Sequence, residues 1–177
     1  MRAAAANPAW VEVVQLVPIV TLASSFLVSG EVDLARAAPL FLLAAGLGVA
    51  ITALVLWRRY LLNPILVGAN LWLVLGAAVF ATGWVQGSGW VAEARAAGLF
   101  ACAAAVGVAT HAFSPFRYLG ARSSDPAWLT RASLGLFALT VAAVAWSWGF
   151  RADLRIGGGL PFIAVNVARR VLIARAP

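Results

Sequence analysis

The stretch that decides the fold is AAPLFLLAAGLGVAITALVLWRRYLLNPILVGANLWLVLGAAVFATGWV, residues 37–85. Two apolar runs, 37–57 and 61–85, stand on either side of Arg58 and Arg59. Each run is long enough to cross a bilayer as a helix, which takes about 20 mostly apolar residues. Because so few residues connect the runs, the pattern predicts two antiparallel transmembrane helices joined by a tight turn.

The composition of the whole chain agrees with a membrane protein. Of its 177 residues, 63% are hydrophobic and 11% are charged, whereas soluble domains are about half apolar and about a quarter charged. A soluble fold of this length has too little interior to bury so much apolar surface. The sequence therefore predicts a single integral membrane domain over residues 1–177.

Apolar stretches predict an all-α, polytopic transmembrane bundle of about six spans: 10–29, 37–57, 61–85, 96–113, 131–150 and 156–173. Small residues spaced by four in the second and fourth spans predict close helix packing. Asp125 and Pro126 are expected to cap and open the fifth helix.

The sixth stretch begins with RIGGGLPF, residues 155–162, which invites a phosphate-loop interpretation. A phosphate loop needs a lysine after its glycines, and this chain contains no lysine. We therefore expect Gly157 to Gly159 to form a flexible turn at the interface and Pro161 to lie in the first turn of a helix. Arg169 and Arg170 interrupt the stretch, so the predicted last span is short, with a re-entrant segment as the alternative.

The arginines predict the orientation. All 13 basic residues are arginine, a usage typical of GC-rich bacterial genomes. With six spans, nine share the side of the two termini: Arg2, Arg58, Arg59, Arg117, Arg122, Arg131, Arg169, Arg170 and Arg175. The other four are Arg36, Arg95, Arg151 and Arg155. The positive-inside rule then places both termini in the cytoplasm of a bacterium, with the protein in its inner membrane.

We attribute the net charge of +7 to the orientation in the membrane and not to nucleic-acid binding, because the arginines are spread along the chain. The expected partners are the lipid bilayer and its anionic headgroups, together with other membrane proteins. Arg58, Arg59, Arg169 and Arg170 are expected to anchor the chain at these headgroups.

Polar residues within spans are candidate functional groups, because they are costly in lipid. Glu12 and Gln15 share one face of the first helix and form either a proton or cation site or a headgroup contact. Asn63, Asn70 and Asn166 are expected to bridge helices, with substrate contact as the alternative, and Asn70 is the expected partner of Asn166.

Features of enzymes and metal proteins are missing from the sequence. His111 ends the fourth span and is expected to lie at the interface. It is the single histidine, and Cys102 is the single cysteine, so the clustered ligands of a structural metal site are lacking. There is no G-x-S-x-G motif and no facing carboxylate pair. We expect no catalytic residues, no metal and no cofactor.

The layout resembles the bacterial intracellular septation protein A family of inner-membrane proteins. The similarity includes LVPIV, residues 16–20, and the basic element SPFRYLGAR. Its matching positions in this chain are Pro115, Arg117, Leu119 and Gly120, and Trp128 leads the next helix. The chain departs from the family in having no lysine and in ending with GGGLPFIAVNVARR. The resemblance implies a non-enzymatic role in envelope growth or division through contacts with other membrane proteins.

Two functions follow from these patterns. The first is a structural or interaction protein of the bacterial inner membrane. The alternative is a small membrane transporter or the substrate-binding membrane subunit of one. A broken helix with polar groups near mid-membrane is typical of transporters, so a polar cavity would favour the alternative and a closed bundle the scaffold.

Overall fold

A computed structural model describes residues 7–29 and 34–177, which form helices and connecting turns. Six α-helices follow along the chain: α1 Ala9–Ser29, α2 Leu34–Trp57, α3 Pro64–Ala81, α4 Val85–Phe113, α5 Pro126–Gly149 and α6 Leu160–Ala174. A π-helical turn, Arg155–Gly159, leads into α6. In the described part of the chain, five segments are long and apolar enough to cross a membrane, and the apolar part of α1 is shorter. The predicted all-α transmembrane bundle is confirmed.

Helices α2 and α3 pack against each other as the predicted hairpin. Arg59 makes the tight turn with a left-handed φ of 57°. Helix α3 then begins at Pro64, which needs no backbone N–H in the first turn. The side chain of Asn63 caps this helix by accepting the backbone N–H of Ile65 at 3.1 Å.

Glycines of both α3 and α4 allow these two helices to pack closely, and the spacing of small residues predicted this for α4. A Cβ placed on Gly68 would lie 2.3 Å from the Cα of Ala103, so the two backbones touch there. Gly98 leaves room for the indole of Trp72, the tryptophan buried deep in α3. Such contacts hold helices together in lipid, where the hydrophobic effect between them is absent.

Hydrogen bonds between distant segments define one end of the bundle, here called the termini end. Asn7 exchanges two hydrogen bonds with the backbone of Leu61, at 2.6 and 3.0 Å. The backbone N–H of Ser124 donates to the carbonyl of Pro177. The termini end thus joins both chain ends to the α2–α3 turn and the α4–α5 loop. The opposite end holds the turn 82–84 and the segment 150–154.

The described arginines divide unequally between these ends. Those at the termini end are Arg58, Arg59, Arg117, Arg122, Arg131, Arg169, Arg170 and Arg175, and those at the opposite end are Arg36, Arg95, Arg151 and Arg155. Arg2, which the sequence count assigned to the termini side, lies outside the described residues.

The last segment differs from the expected turn and short helix. Gly157 to Gly159 continue the helix, and Gly159 has φ −64° and ψ −51°. The helical stretch Arg155–Ala174 has 20 residues, which corresponds to about 30 Å at 1.5 Å per residue and matches the hydrocarbon core. The predicted sharp turn is wrong. The helix runs from the opposite end to the termini end, which favours a full span over the re-entrant alternative.

Pro161 and Gly157 explain this geometry. In a regular α-helix, the ring of Pro161 would clash with the carbonyl of Gly157, four residues earlier. A wider π-helical turn relieves that clash, and here the backbone N–H of Leu160 donates to the carbonyl of Arg155. Gly157 is required by close approach, since a Cβ there would lie 2.4 Å from the carbonyl oxygen of Phe150.

Candidate functional site

An ion pair joins the first and last helices at the termini end. Nη1 of Arg169 lies 3.0 Å from Oε1 and 3.1 Å from Oε2 of Glu12. Nε of the same guanidinium donates to the backbone carbonyl of Leu119 at 3.0 Å. The Arg169 side chain is only 2% exposed and that of Glu12 is 19% exposed.

Arg169 is therefore not the headgroup anchor that the sequence predicted. Pro161, Val165 and Arg169 recur every four residues and are all buried, so they form the inward face of α6. A buried charge is tolerated when an opposite charge and further hydrogen bonds satisfy it, and Glu12 supplies that charge. Glu12 is thus a partner in a helix-to-helix bond, which neither sequence interpretation had foreseen.

Asn63 connects three elements beside this ion pair. Its backbone N–H donates to Oε1 of Gln15 at 3.0 Å, and its Nδ2 lies 3.4 Å from Oδ1 of Asn166. We call Glu12, Gln15, Asn63, Asn166 and Arg169 together the polar junction. It links α1, the start of α3 and α6.

Asn70 lies outside the polar junction. Its Nδ2 lies 3.2 Å from Oγ1 of Thr52 and 3.4 Å from the carbonyl of Gly48, so it bridges α3 to α2. Its Oδ1 is buried and has no hydrogen-bond partner among residues 7–29 and 34–177. The expected pairing of Asn166 with Asn70 is wrong, because Asn166 faces Asn63 and donates to the carbonyl of Phe162 on its own helix.

The remaining sequence candidates lie apart from these bonds. His111 is half-buried at the end of α4, and its carbonyl accepts a hydrogen bond from Arg117. Nδ1 of His111 is buried and has no hydrogen-bond partner in the described part of the chain. Arg58, Arg59 and Arg170 are exposed at the termini end, so their predicted contact with headgroups stays a prediction.

Sequence reasoning missed a second group of hydrogen bonds, between the α4–α5 loop and α5. The hydroxyl of Tyr118 lies 3.1 Å from Oγ1 of Thr140, and the backbone N–H of Leu119 donates to Oγ of Ser133 at 3.1 Å. Burial raises the pKa of Tyr118 to about 12. The available signal was the spacing of Ser133, Thr140 and Ser147, seven residues apart on one buried face.

A cleft of about 440 Å³ separates α1 from α6 beyond the ion pair. Ile19 and Leu22 line it from α1, Phe162 and Ile163 line it from α6, and Trp72 lies behind them. The side chain of Ile163 is 60% exposed, so the cleft reaches the lateral surface of the bundle. We call this space the lateral cleft, and local sequence patterns gave no sign of it.

Two arginines lie at the rim of the lateral cleft, at the opposite end of the bundle. Arg95 interrupts α4 with φ 42° and ψ −125°. This kink directs its guanidinium to the carbonyls of Ala92 and Arg151, at 3.2 and 2.9 Å. Arg155, the first residue of the π-helical turn, is the second arginine of the rim.

Two further observations concern metal binding and similarity to known proteins. Among residues 7–29 and 34–177, no three His, Cys, Asp or Glu side chains are grouped closely enough to hold a metal ion. Comparison with family models, with curated proteins and with solved structures finds no match. The resemblance to the septation protein A family therefore stays a prediction from sequence, and function has to be argued from the geometry.

Proposed function

We propose that this chain is a non-enzymatic, multi-pass protein of the bacterial inner membrane with a structural or interaction role in envelope growth or division. The observation that carries the proposal is that the polar groups within its helices bond to other helices. Gln15, Asn63 and Asn166 bond across helices, and Glu12 pairs with Arg169. These bonds fix helix positions, and the envelope role itself rests on the sequence resemblance.

The transporter alternative requires different features. Transporters place polar groups along a water-filled path and often break helices near mid-membrane. Here the lateral cleft is lined by apolar side chains apart from Arg95 and Arg155 at its rim. Gly157 to Gly159 lie within a continuous helix. Both observations favour a scaffold over a transporter of polar solutes.

We propose a cytoplasmic location for both termini. The arginines of the termini end outnumber those of the opposite end, and the one buried among them, Arg169, is neutralised by Glu12. The exposed remainder still gives the termini end its positive excess, which the positive-inside rule assigns to the cytoplasm.

Deletion of the gene in the bacterium that carries it tests the proposed role. We expect a change in cell length or septum spacing, and we expect a plasmid copy of the wild-type chain to restore both. Cells of normal shape that fail to take up or export one particular solute would contradict the proposal and favour the transporter alternative.

A further inference from the structure

The lateral cleft has the size and the lining of a binding site for a hydrocarbon chain. Its volume of about 440 Å³ falls within the range of roughly 300–1,000 Å³ found for small-ligand sites. Apolar side chains line the cleft except at its rim, and an extended acyl chain is much thinner than a helix, which measures about 10–12 Å across with its side chains.

Arg95 and Arg155 supply donors for an anionic group at the mouth of this cleft. A guanidinium carries five N–H donors, and Arg95 uses two of its nitrogens on carbonyls that hold it in place. In the described part of the chain, the side chain of Arg155 makes no ion pair or hydrogen bond. Arginine matches phosphate oxygens in geometry as well as in charge.

In the described part of the chain, the acidic residues near the rim form no ion pair with these arginines. Oδ1 of Asp153 accepts the backbone N–H groups of Arg155 and Ile156, at 2.8 and 3.2 Å. Glu93 is exposed, and within residues 7–29 and 34–177 it forms no ion pair. The guanidinium N–H groups of the rim that are not bound to carbonyls are therefore available to a lipid phosphate.

We propose that the lateral cleft binds one acyl chain of an anionic phospholipid, whose phosphate contacts Arg95 and Arg155. The inference goes beyond the envelope role and does not depend on it. The lipid enters sideways from the bilayer, because Leu160 and Ile163 on the α6 wall are exposed at the lateral surface.

Blocking the cleft is the first test. In the described part of the chain, a Cβ on Gly159, which lines the cleft, meets no atom within 4 Å, so the side chain of Gly159→Leu starts in open space. Gly135→Leu is the matched control, because that glycine also has open space and does not line the cleft. Ala23→Phe fills the cleft from the α1 wall.

The probes are phosphatidylglycerol and diacylglycerol with identical acyl chains, which differ in the presence of the phosphate headgroup, added to the full-length chain in detergent. Native mass spectrometry counts the lipids retained. We expect one retained phosphatidylglycerol on the wild type and on Gly135→Leu. We expect it to be lost from Gly159→Leu and from Ala23→Phe. Equal retention by Gly159→Leu and Gly135→Leu would overturn the proposal.

Removing the two charges tests the headgroup contact separately. The Arg95→Gln, Arg155→Gln double variant should bind phosphatidylglycerol about 25-fold more weakly, from a factor of about 5 per arginine, with diacylglycerol binding unchanged. Arg151→Gln is the control at the same end, because Arg151 does not line the cleft. A wild type that retains both lipids equally, or an equal loss in Arg151→Gln, would refute the assignment of the phosphate to this rim.

Discussion

Replacing Glu12 by glutamine should destabilise the bundle strongly. The change keeps the shape of the side chain but leaves the guanidinium of Arg169, 2% exposed, without a counter-charge. Breaking a buried ion pair from one side costs about 3–5 kcal/mol. Arg169 retains its bond to the carbonyl of Leu119, so we expect a loss near the lower limit, about 3 kcal/mol.

The reverse change should cost less. With Arg169→Met, the carboxylate of Glu12 loses its partner, but this side chain is 19% exposed at the termini end and can be hydrated there. The expected loss is about 1–2 kcal/mol, the cost of an unpaired polar group that water reaches. The Glu12→Leu, Arg169→Met double variant should lie within about 1 kcal/mol of the wild type, because apolar side chains replace a buried pair at little cost.

These differences are measured as unfolding free energies in mild detergent, by titration with a denaturing detergent followed by circular dichroism. Glu93→Gln is the matched control, because Glu93 is exposed and makes no ion pair within the described ranges 7–29 and 34–177. The reasoning is refuted if Glu12→Gln is as stable as Glu93→Gln. It also fails if the loss in the Glu12→Leu, Arg169→Met double variant equals the sum of the losses in the Glu12→Leu and Arg169→Met single variants.

Three further predictions concern packing, titration and topology. Gly68→Ala should lower the unfolding free energy by at least about 2 kcal/mol, because its Cβ would overlap the α4 backbone, whereas Gly46→Ala, with open space, should raise it by about 0.5–1 kcal/mol. Between pH 10 and about 12 the unfolding free energy should fall, because folded Tyr118 holds its proton with a pKa near 12 and the unfolded chain releases it near 10. In the Tyr118→Phe variant, the melting temperature should no longer fall over this pH range. An unchanged fall would show that Tyr118 is not its cause. A reporter active only in the periplasm should give no signal when it is fused to the C-terminus, and a strong signal from this wild-type fusion would contradict a cytoplasmic C-terminus. Replacing Arg58 and Arg59 by glutamate should weaken the preference for this orientation.

Hydropathy and capping patterns were sufficient for most of the fold. The α2–α3 hairpin follows from two long apolar runs with few residues between them. Asp125 caps α5 through the backbone N–H groups of Ala127 and Trp128, as its position before Pro126 predicted. These signals are local, so each can be evaluated within a short window of the chain.

The partner of Arg169 could not be predicted in this way. Arg169 and Arg170 are adjacent in sequence, and only the inward face of α6 decides which of them is buried. Glu12 is 157 residues from Arg169 along the chain, and no pattern near either residue indicates the pair. The lateral cleft could not be predicted for the same reason, because its walls come from α1 and α6, at the two ends of the sequence.

The ion pair also has a consequence for the width of the lateral cleft. Helix α6 and its π-helical turn pack on α5, where Gly157 meets the backbone of Phe150, while α6 reaches α1 at the termini end through the long side chain of Arg169. The pair therefore holds α1 at a distance that a short apolar contact would not keep. We expect a Glu12→Ala, Arg169→Ala variant to let the helices approach and to retain less phosphatidylglycerol than the Glu12→Leu, Arg169→Met variant. Native mass spectrometry of the two variants tests this expectation, and equal lipid retention by both would show that the pair does not set the width of the cleft.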